Sequence, residues 1–332
     1  MSYLYVNEQG ASIGIAGNRI EVKHKDGMLQ SIPIETLETI QVFGSVQIST
    51  KCLSECLERG ISVVYYSMTG RYYGRLISPS HVNVERQRKQ AVLPQNDRFC
   101  LDFSRQIIDA KIRNQIVVLR RYARNQNRDI SQAVEEMQRS MRKLKLCRDI
   151  PQLMGYEGIA ARHYFHALGG LIRPEFYFEK RTRRPPRDAF NSMISLGYSI
   201  LMNEIYGKLE GRGLDPYFGI MHSDKEKHPT LASDLMEEWR AVLVDATAMS
   251  LVNRGEIHPE QFYTQEDGGV YLTSDGFKLF IRKLENKLAQ RNSYIQEEGE
   301  VNFRRALDIQ TMAFCRAIEA ERAELYHPVL IR

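Results

Sequence analysis

The chain has 332 residues and carries 46 Lys and Arg against 41 Asp and Glu, a formal net charge of +5. That length supports a sizeable core and favours two domains over one. Its five cysteines, Cys52, Cys56, Cys100, Cys147 and Cys315, show no CxxC or Cys/His finger spacing, which excludes a disulfide framework or zinc finger and points to a reducing cytoplasm. No apolar stretch is long enough to span a bilayer and no signal peptide is expected at the start, so a cytoplasmic protein with no membrane partner is the expectation.

In chain order, the first eighty residues are short apolar runs rich in Ile, Val and Tyr: SYLYVN, ASIGIAG, NRIEVKH, LQSIPI, TIQVFG, VQIST, ISVVYYS and YYGRLI. Turn residues separate them, so residues 1–80 read as a β-strand-rich domain. One helix is expected within it, over Thr50–Arg59, stopping at Gly60. After Pro79 the pattern changes. The polar stretch SPSHVNVERQRKQ reads as a linker or the entry to the first helix, with the linker placed at 81–90, and residues 91–332 read as a larger all-α-helical domain. Helices are expected over Leu101–Arg128, Ile130–Leu146, Gln152–Leu168, Asp188–Gly207, Ala232–Asn253, Ser274–Gln290 and Phe303–Glu321, with Asp188 and Ser274 as N-caps. The fold class is therefore α+β in two domains. The tail YHPVLIR is apolar, either docked or frayed.

Charge is distributed unevenly. Between Arg86 and Arg148 there are sixteen Lys and Arg against six Asp and Glu, and a second basic cluster comprises Lys180, Arg181, Arg183, Arg184 and Arg187. Such clusters suit a phosphate backbone. Near them lie the residues that carry chemistry: Glu157 in GYEGIAARHYF, His222 in GIMHSDKEKHP, and Asp234 and Glu237 in SDLMEEWR. Asp234 and Glu237, three apart on an expected helix, share a face. Acidic oxygens plus one imidazole suit Mg2+ or Mn2+ better than zinc. Gly155, Gly158, Ala160 and Ala161 around Glu157 are small enough for close helix approach.

Alternatives remain open on spacing alone. His228 competes with His222, and Asp224 and Glu226 with the other acids. Glu157 pairs with Arg162 if the site is structural. His163 and His166 fall out of phase with Glu157 and read as packing or phosphate-contacting residues, Asp245 as support for the site, and Glu238 as facing solvent or Arg162. No GxGxxG, Walker lysine, HExxH or Ser/His/Asp set appears, which argues against dinucleotide, triphosphate, zincin and serine hydrolase chemistry.

With the segments LYVNEQGASI, YYSMTGRYYGRL, GYEGIAARHYF, PPRDAFNSMISLGYSIL, GLDPYFGIMHSDKEKHPTLASDLMEEWR and LVNRG in this order, the chain resembles the CRISPR adaptation integrases, also described as CRISPR-associated endonucleases. The resemblance implies a β domain that dimerises and a helical domain that binds Mg2+ or Mn2+ through Glu157, His222 and Glu237. It implies a further catalytic acid at Asp234 and a supporting Asn191. It implies transesterification joining the 3′-hydroxyl ends of a short captured DNA duplex to the CRISPR repeat, with associated endonuclease activity. Two homodimers then flank a dimer of the second adaptation protein in a heterohexamer. Arg162, His163, Arg181, Arg183 and Arg184 are expected to support the site or contact DNA. The competing readings are a structure-specific endonuclease on branched DNA and a non-catalytic DNA-binding scaffold dimer, its carboxylates paired with Arg162 and Arg240.

Overall fold

The computed structural model describes residues 2–79, 82–294 and 299–332. It divides into two units, Met1–His81 and Val82–Arg332. In the first, every expected apolar run forms a strand: β1 (Ser2–Val6), β2 (Ser12–Ala16), β3 (Arg19–His24), β4 (Gly27–Pro33), β5 (Leu37–Phe43), β6 (Gln47–Ile48), β7 (Ser62–Tyr66) and β8 (Tyr72–Leu76). They make two four-stranded sheets, ordered β1-β5-β7-β8 and β4-β3-β2-β6. β1, β5 and β7 run parallel and β8 antiparallel. Helix α1 (Thr50–Glu58) is capped by the Ser49 side chain, and Gly60, just past its end, adopts φ +70°, where an L side chain would be strained. Cys52 and Cys56 are fully buried in the same core as Leu4, Ile13, Ile20, Ile40 and Val63, behaving as small apolar residues.

The second unit begins sooner than expected. Most of the presumed linker is a helix, α2 (Val84–Val92), capped by Asn83. Its polar composition hid it, because what it buries is an amide: Gln90 accepts from the Asp215 amide and donates to the Asp215 carbonyl. The long helix α3 (Asp97–Gln126) ends at Asn127 in the left-handed region, followed by α4 (Ser131–Leu144) and α5 (Ile150–Gly169). Asp188 caps α6 (Ala189–Glu210) as expected, accepting from the Asn191 amide.

The single helix expected over Ala232–Asn253 is broken. α7 (Thr230–Met236) gives way to tight i to i+3 bonds at Glu237 and Trp239, then a π-helical turn over Arg240–Asp245, then α8 (Ala246–Asn253). The apolar pattern is compatible with both forms, so it did not reveal the break. α6 accommodates the wide turn at Gly197, where an added Cβ would lie 2.5 Å from Val244 Cγ1. α9 (Ser274–Ala289) is capped by Thr273 and not by Ser274, and α10 (Phe303–Ala320) follows. The unit is not wholly helical. β9 (Phe262–Thr264) pairs with β10 (Val270–Leu272), and β11 (Arg291–Asn292) with β12 (Val301–Asn302), strands too short to show alternation.

The tail is docked. Asn114 of α3 donates to the Val329 carbonyl and accepts from the Ile331 amide, and Val329 and Ile331 are buried. No helix among the described residues is long and apolar enough to cross a membrane.

Glu238 corrects another expectation, since it faces neither solvent nor Arg162. It is buried, and its carboxyl accepts from Gln310 and from the Tyr326 hydroxyl. Burial pushes it up to about 8 from an ordinary value of 4.5. The fold therefore keeps the proton that the unfolded chain releases. Its stabilising effect is full below about pH 4.5 and is lost as pH rises to about 8. Glu238→Gln should melt like the wild type at pH 5 and several degrees higher at pH 9, the difference corresponding to a few kcal/mol at most. Thermal melts at the two pH values check this.

Candidate functional site

α3, α5 and the end of α7 bring three charged side chains together. The Lys111 ammonium, on α3, lies 2.5 Å from Glu157 Oε1 on α5 and 2.6 Å from Glu237 Oε2 just past α7. The other Glu237 oxygen, Oε1, lies 3.1 Å from Arg240. Lys111 is 8% exposed on a helix that also buries Ile107, Ile108 and Ile112. A cation there requires anionic partners to offset its lost hydration. Burial by itself would raise the Glu237 carboxyl, but Arg240 and then Lys111 outweigh it and hold it at about 2. Burial likewise opposes the charged forms of Lys111 and Arg240, and the neighbouring carboxylates, Glu237 foremost, leave both raised.

His222 is placed by Asp234. The Asp234 carboxylate is 0% exposed and accepts from the backbone amides of Ile220, Met221 and His222 at 2.8, 2.9 and 3.2 Å. It also meets His222 Nδ1 at 2.6 Å. The loop can wrap this closely because Gly219 has no side chain: a Cβ there would lie 2.3 Å from Thr230 Cγ2. Facing a carboxylate, Nδ1 carries the hydrogen, so Nε2 is the ring nitrogen left with a lone pair. Burial disfavours the imidazolium, but the bond to Asp234 and the charges of Asp234 and Glu237 raise His222 above its usual range. Asp234 is thus engaged in shaping the loop and orienting the imidazole.

The rival residues have other partners. His228 Nε2 meets the Ser233 hydroxyl at 2.9 Å, and Asp224 accepts from the Gly219 amide. Glu226 is exposed. Asp245 accepts from the hydroxyls of Tyr164 and Tyr198, and burial pushes it up to about 6. The Arg240 guanidinium stacks 4.9 Å from the Tyr198 ring centroid, so Asp245 supports Glu237 through Tyr198 and Arg240.

Asn191 is spent on the 180–182 segment. It accepts from Arg181 and the Thr182 amide and donates to the Lys180 carbonyl. Arg181 is correspondingly turned inward, donating also to Ser195 and stacking 5.4 Å from the Tyr198 centroid. Arg183, Arg184 and Arg162 are exposed without an ion pair among the described residues, and His163 is half-buried. Glu157 therefore pairs with Lys111 and not with Arg162. Gly155 and Gly158 admit no closely packed helix, since a Cβ at either would meet nothing within 4 Å.

Lys111 is the residue that sequence reasoning missed, counted only as one of sixteen basic residues. The signal was its place four residues after Ile107 and three after Ile108, inside an apolar stripe. Much of that basic segment is internally paired: Arg86 with Glu319, Arg105 with Asp102, Arg113 with Asp109 and Arg139 with Glu136. Arg120, Arg124, Arg128, Arg142, Lys143 and Arg148 are exposed.

As placed, no three His, Cys, Asp or Glu side chains among the described residues enclose a single ion. The donor chemistry nevertheless fits one. Two carboxylates already converge on one cationic point, and Glu237 Oε2 is buried with no aligned hydrogen bond. His222 adds the lone pair of Nε2. Such a set suits a hard divalent cation such as Mg2+ or Mn2+.

The profile of the family described as CRISPR associated protein Cas1 matches residues 4–286. The CRISPR-associated endonuclease Cas1 of Mycobacterium tuberculosis is 36% identical over 322 residues, 96% of this chain and 95% of that protein. A chain of a Cas6-RT-Cas1–Cas2 complex superposes with a TM-score of 0.84 at 25% identity, over 98% of this chain and 36% of that longer polypeptide. A casposase bound to its integration product superposes with a TM-score of 0.87 at 20% identity, over 99% of this chain and 93% of that one, a likeness of fold.

Asp234→Asn should return His222 toward or below its ordinary value, because a neutral amide no longer stabilises the imidazolium. An NMR titration of the His222 ring protons reads this directly. The same change should cost about 1–3 kcal/mol of stability through weakened bonds to buried amides.

Proposed function

The chain belongs to the Cas1 family of CRISPR-associated proteins, and from that membership we propose that it is a metal-dependent DNA integrase with endonuclease activity. The observation that carries this reading is the convergence of Glu157, on α5, and Glu237, just past α7, on one buried cationic point, with His222 tied by Nδ1 to Asp234 and within the electrostatic reach of Glu237. Glu157, Glu237 and His222 Nε2 would hold Mg2+ or Mn2+. The bound ion would supply Lewis-acid polarisation of a phosphodiester and stabilise charge on the attacking and leaving oxygens.

The chain's own residues prepare that chemistry. Arg240, braced on Tyr198, keeps Glu237 ionised far below neutral pH, so the carboxylate presents charge throughout the physiological range. Asp234 fixes the imidazole tautomer and hence its role as a lone-pair donor. In the reaction the 3′-hydroxyl oxygen of a captured duplex forms a new bond to a repeat phosphorus. The existing P–O bond breaks, the attacking hydroxyl gives up its proton to solvent, and the leaving 3′-oxygen takes one up, so no net proton is consumed. Water in place of the hydroxyl gives endonuclease cleavage, which the names of the relatives support.

Exposed basic residues, among them Arg183, Arg184, Arg120 and Arg124, would hold phosphates with little preference for base sequence. The Cas1–Cas2 assembly that contains a similar chain supports a second adaptation protein as partner. The proposed assembly is a homodimer formed through the β unit, two such dimers flanking the partner in a heterohexamer. One observation favours the scaffold reading instead: Glu157 and Glu237 are already balanced by Lys111 and Arg240.

Joining of a labelled short duplex to supercoiled DNA carrying a repeat decides between them. With the second adaptation protein and Mn2+ present, Glu157→Gln and Glu237→Gln should lose activity by on the order of a hundredfold or more. Both should still bind the duplex, with an affinity that falls steeply as salt rises. Joining absent from the wild type as well, with duplex binding intact, would leave a scaffold, and joining that survives both substitutions would put the catalytic residues elsewhere.

A further inference from the structure

We propose that Lys111 is the resident cation of this site, its ammonium standing where a divalent ion would bind, so that the ion enters by displacing it. The inference rests on the metal-dependent reading above and extends it to a residue outside the donor set. Three observations carry it. First, the two acids lie at 2.5 and 2.6 Å from one nitrogen, so the point on which they converge is filled by positive charge. Second, Glu237 has both oxygens in ion pairs, Oε1 with Arg240 and Oε2 with Lys111, and must release one to accept a new cation.

Third, the two cations differ in how they are held. Arg240 stacks on Tyr198, a ring whose hydroxyl is fixed by Asp245, and sits at the start of the buried π-helical turn. Lys111 contacts the two carboxylates from a flexible four-carbon stem, which makes it the one that can withdraw. With Lys111 in place, Glu157 and Glu237 already face two cations before any ion arrives. An incoming divalent ion must overcome that balance, so affinity for free metal is weak by construction. The displaced ammonium is then available to a nearby anion such as a DNA phosphate.

The test uses the full chain and Mn2+ as probe. Calorimetry and the EPR signal of free Mn2+ give the affinity of wild type, Lys111→Met and Lys111→Gln, and melts are recorded with and without the ion. Lys111→Met leaves the two carboxylates with Arg240 as their one cationic partner, on the Glu237 side, whereas Lys111→Gln retains an amide donor. Both variants should bind Mn2+ more tightly than wild type, by about tenfold or more. Without metal both should melt lower, and Mn2+ should restore more of that loss than it adds to wild type. Folding of Lys111→Met only when Mn2+ is added would support the proposal equally.

Folded variants that bind Mn2+ no more tightly, or more weakly, would overturn it, showing that Lys111 props the carboxylates for the ion. Failure of both variants to fold even with Mn2+ would also overturn it, because the ion then cannot replace the ammonium. If neither wild type nor any variant binds Mn2+, the metal-dependent reading itself falls and the proposal falls with it.

Discussion

The site depends first on one buried carboxylate. Asp234 gathers three consecutive backbone amides and one imidazole nitrogen around two oxygens. Without that anchor the 220–222 segment would leave buried donors unpaired, at roughly 1–3 kcal/mol each. Because Glu237 lies less than one helical turn further on, the same short stretch of chain fixes both the histidine and the acid. The break after Met236 then turns the backbone so that Glu237 and Arg240 face Lys111 and Tyr198. Local hydrogen bonding and long-range charge pairing are thereby coupled within about ten residues.

Behind the acids lies a second layer of polar groups that contact no candidate ligand position. Tyr164 and Tyr198 both donate to Asp245, and burial keeps both phenols well above their usual range, so they remain hydrogen donors. Tyr198 in turn offers its ring face to Arg240 and Arg181. Asn191 and Arg181 link this layer to the basic 180–184 segment. A rearrangement of the exposed arginines would therefore reach Glu237 through packed, hydrogen-bonded groups.

Much of this was readable from residue order, and the failures have physical causes. The strands of the first unit and the long helices announced themselves through periodicity, and capping residues such as Asp188 marked boundaries. Glu157, His222, Asp234 and Glu237 were singled out through the one-face spacing of Asp234 and Glu237, the small residues around Glu157 and the family resemblance. Periodicity cannot distinguish an α turn from a π turn, so the break after Met236 was invisible. Nor can composition tell a buried lysine from a surface one. Lys111 stood among fifteen other basic residues, several of which are exposed, and only the partner helices reveal its task. Glu238 failed for the same reason: what makes it internal is the docked end of the chain beside it.

That docked segment has a consequence for the order in which the site is made. Asn114 lies three residues beyond Lys111, and its side-chain nitrogen donates to the Val329 carbonyl while its oxygen accepts from the Ile331 amide. During synthesis the candidate acids Glu157 and Glu237 leave the ribosome well before α3 acquires that latch. A nascent chain would thus carry all four candidate residues while one face of α3 still lacked its partner, so completion of the helical unit waits on residues far downstream of its chemistry.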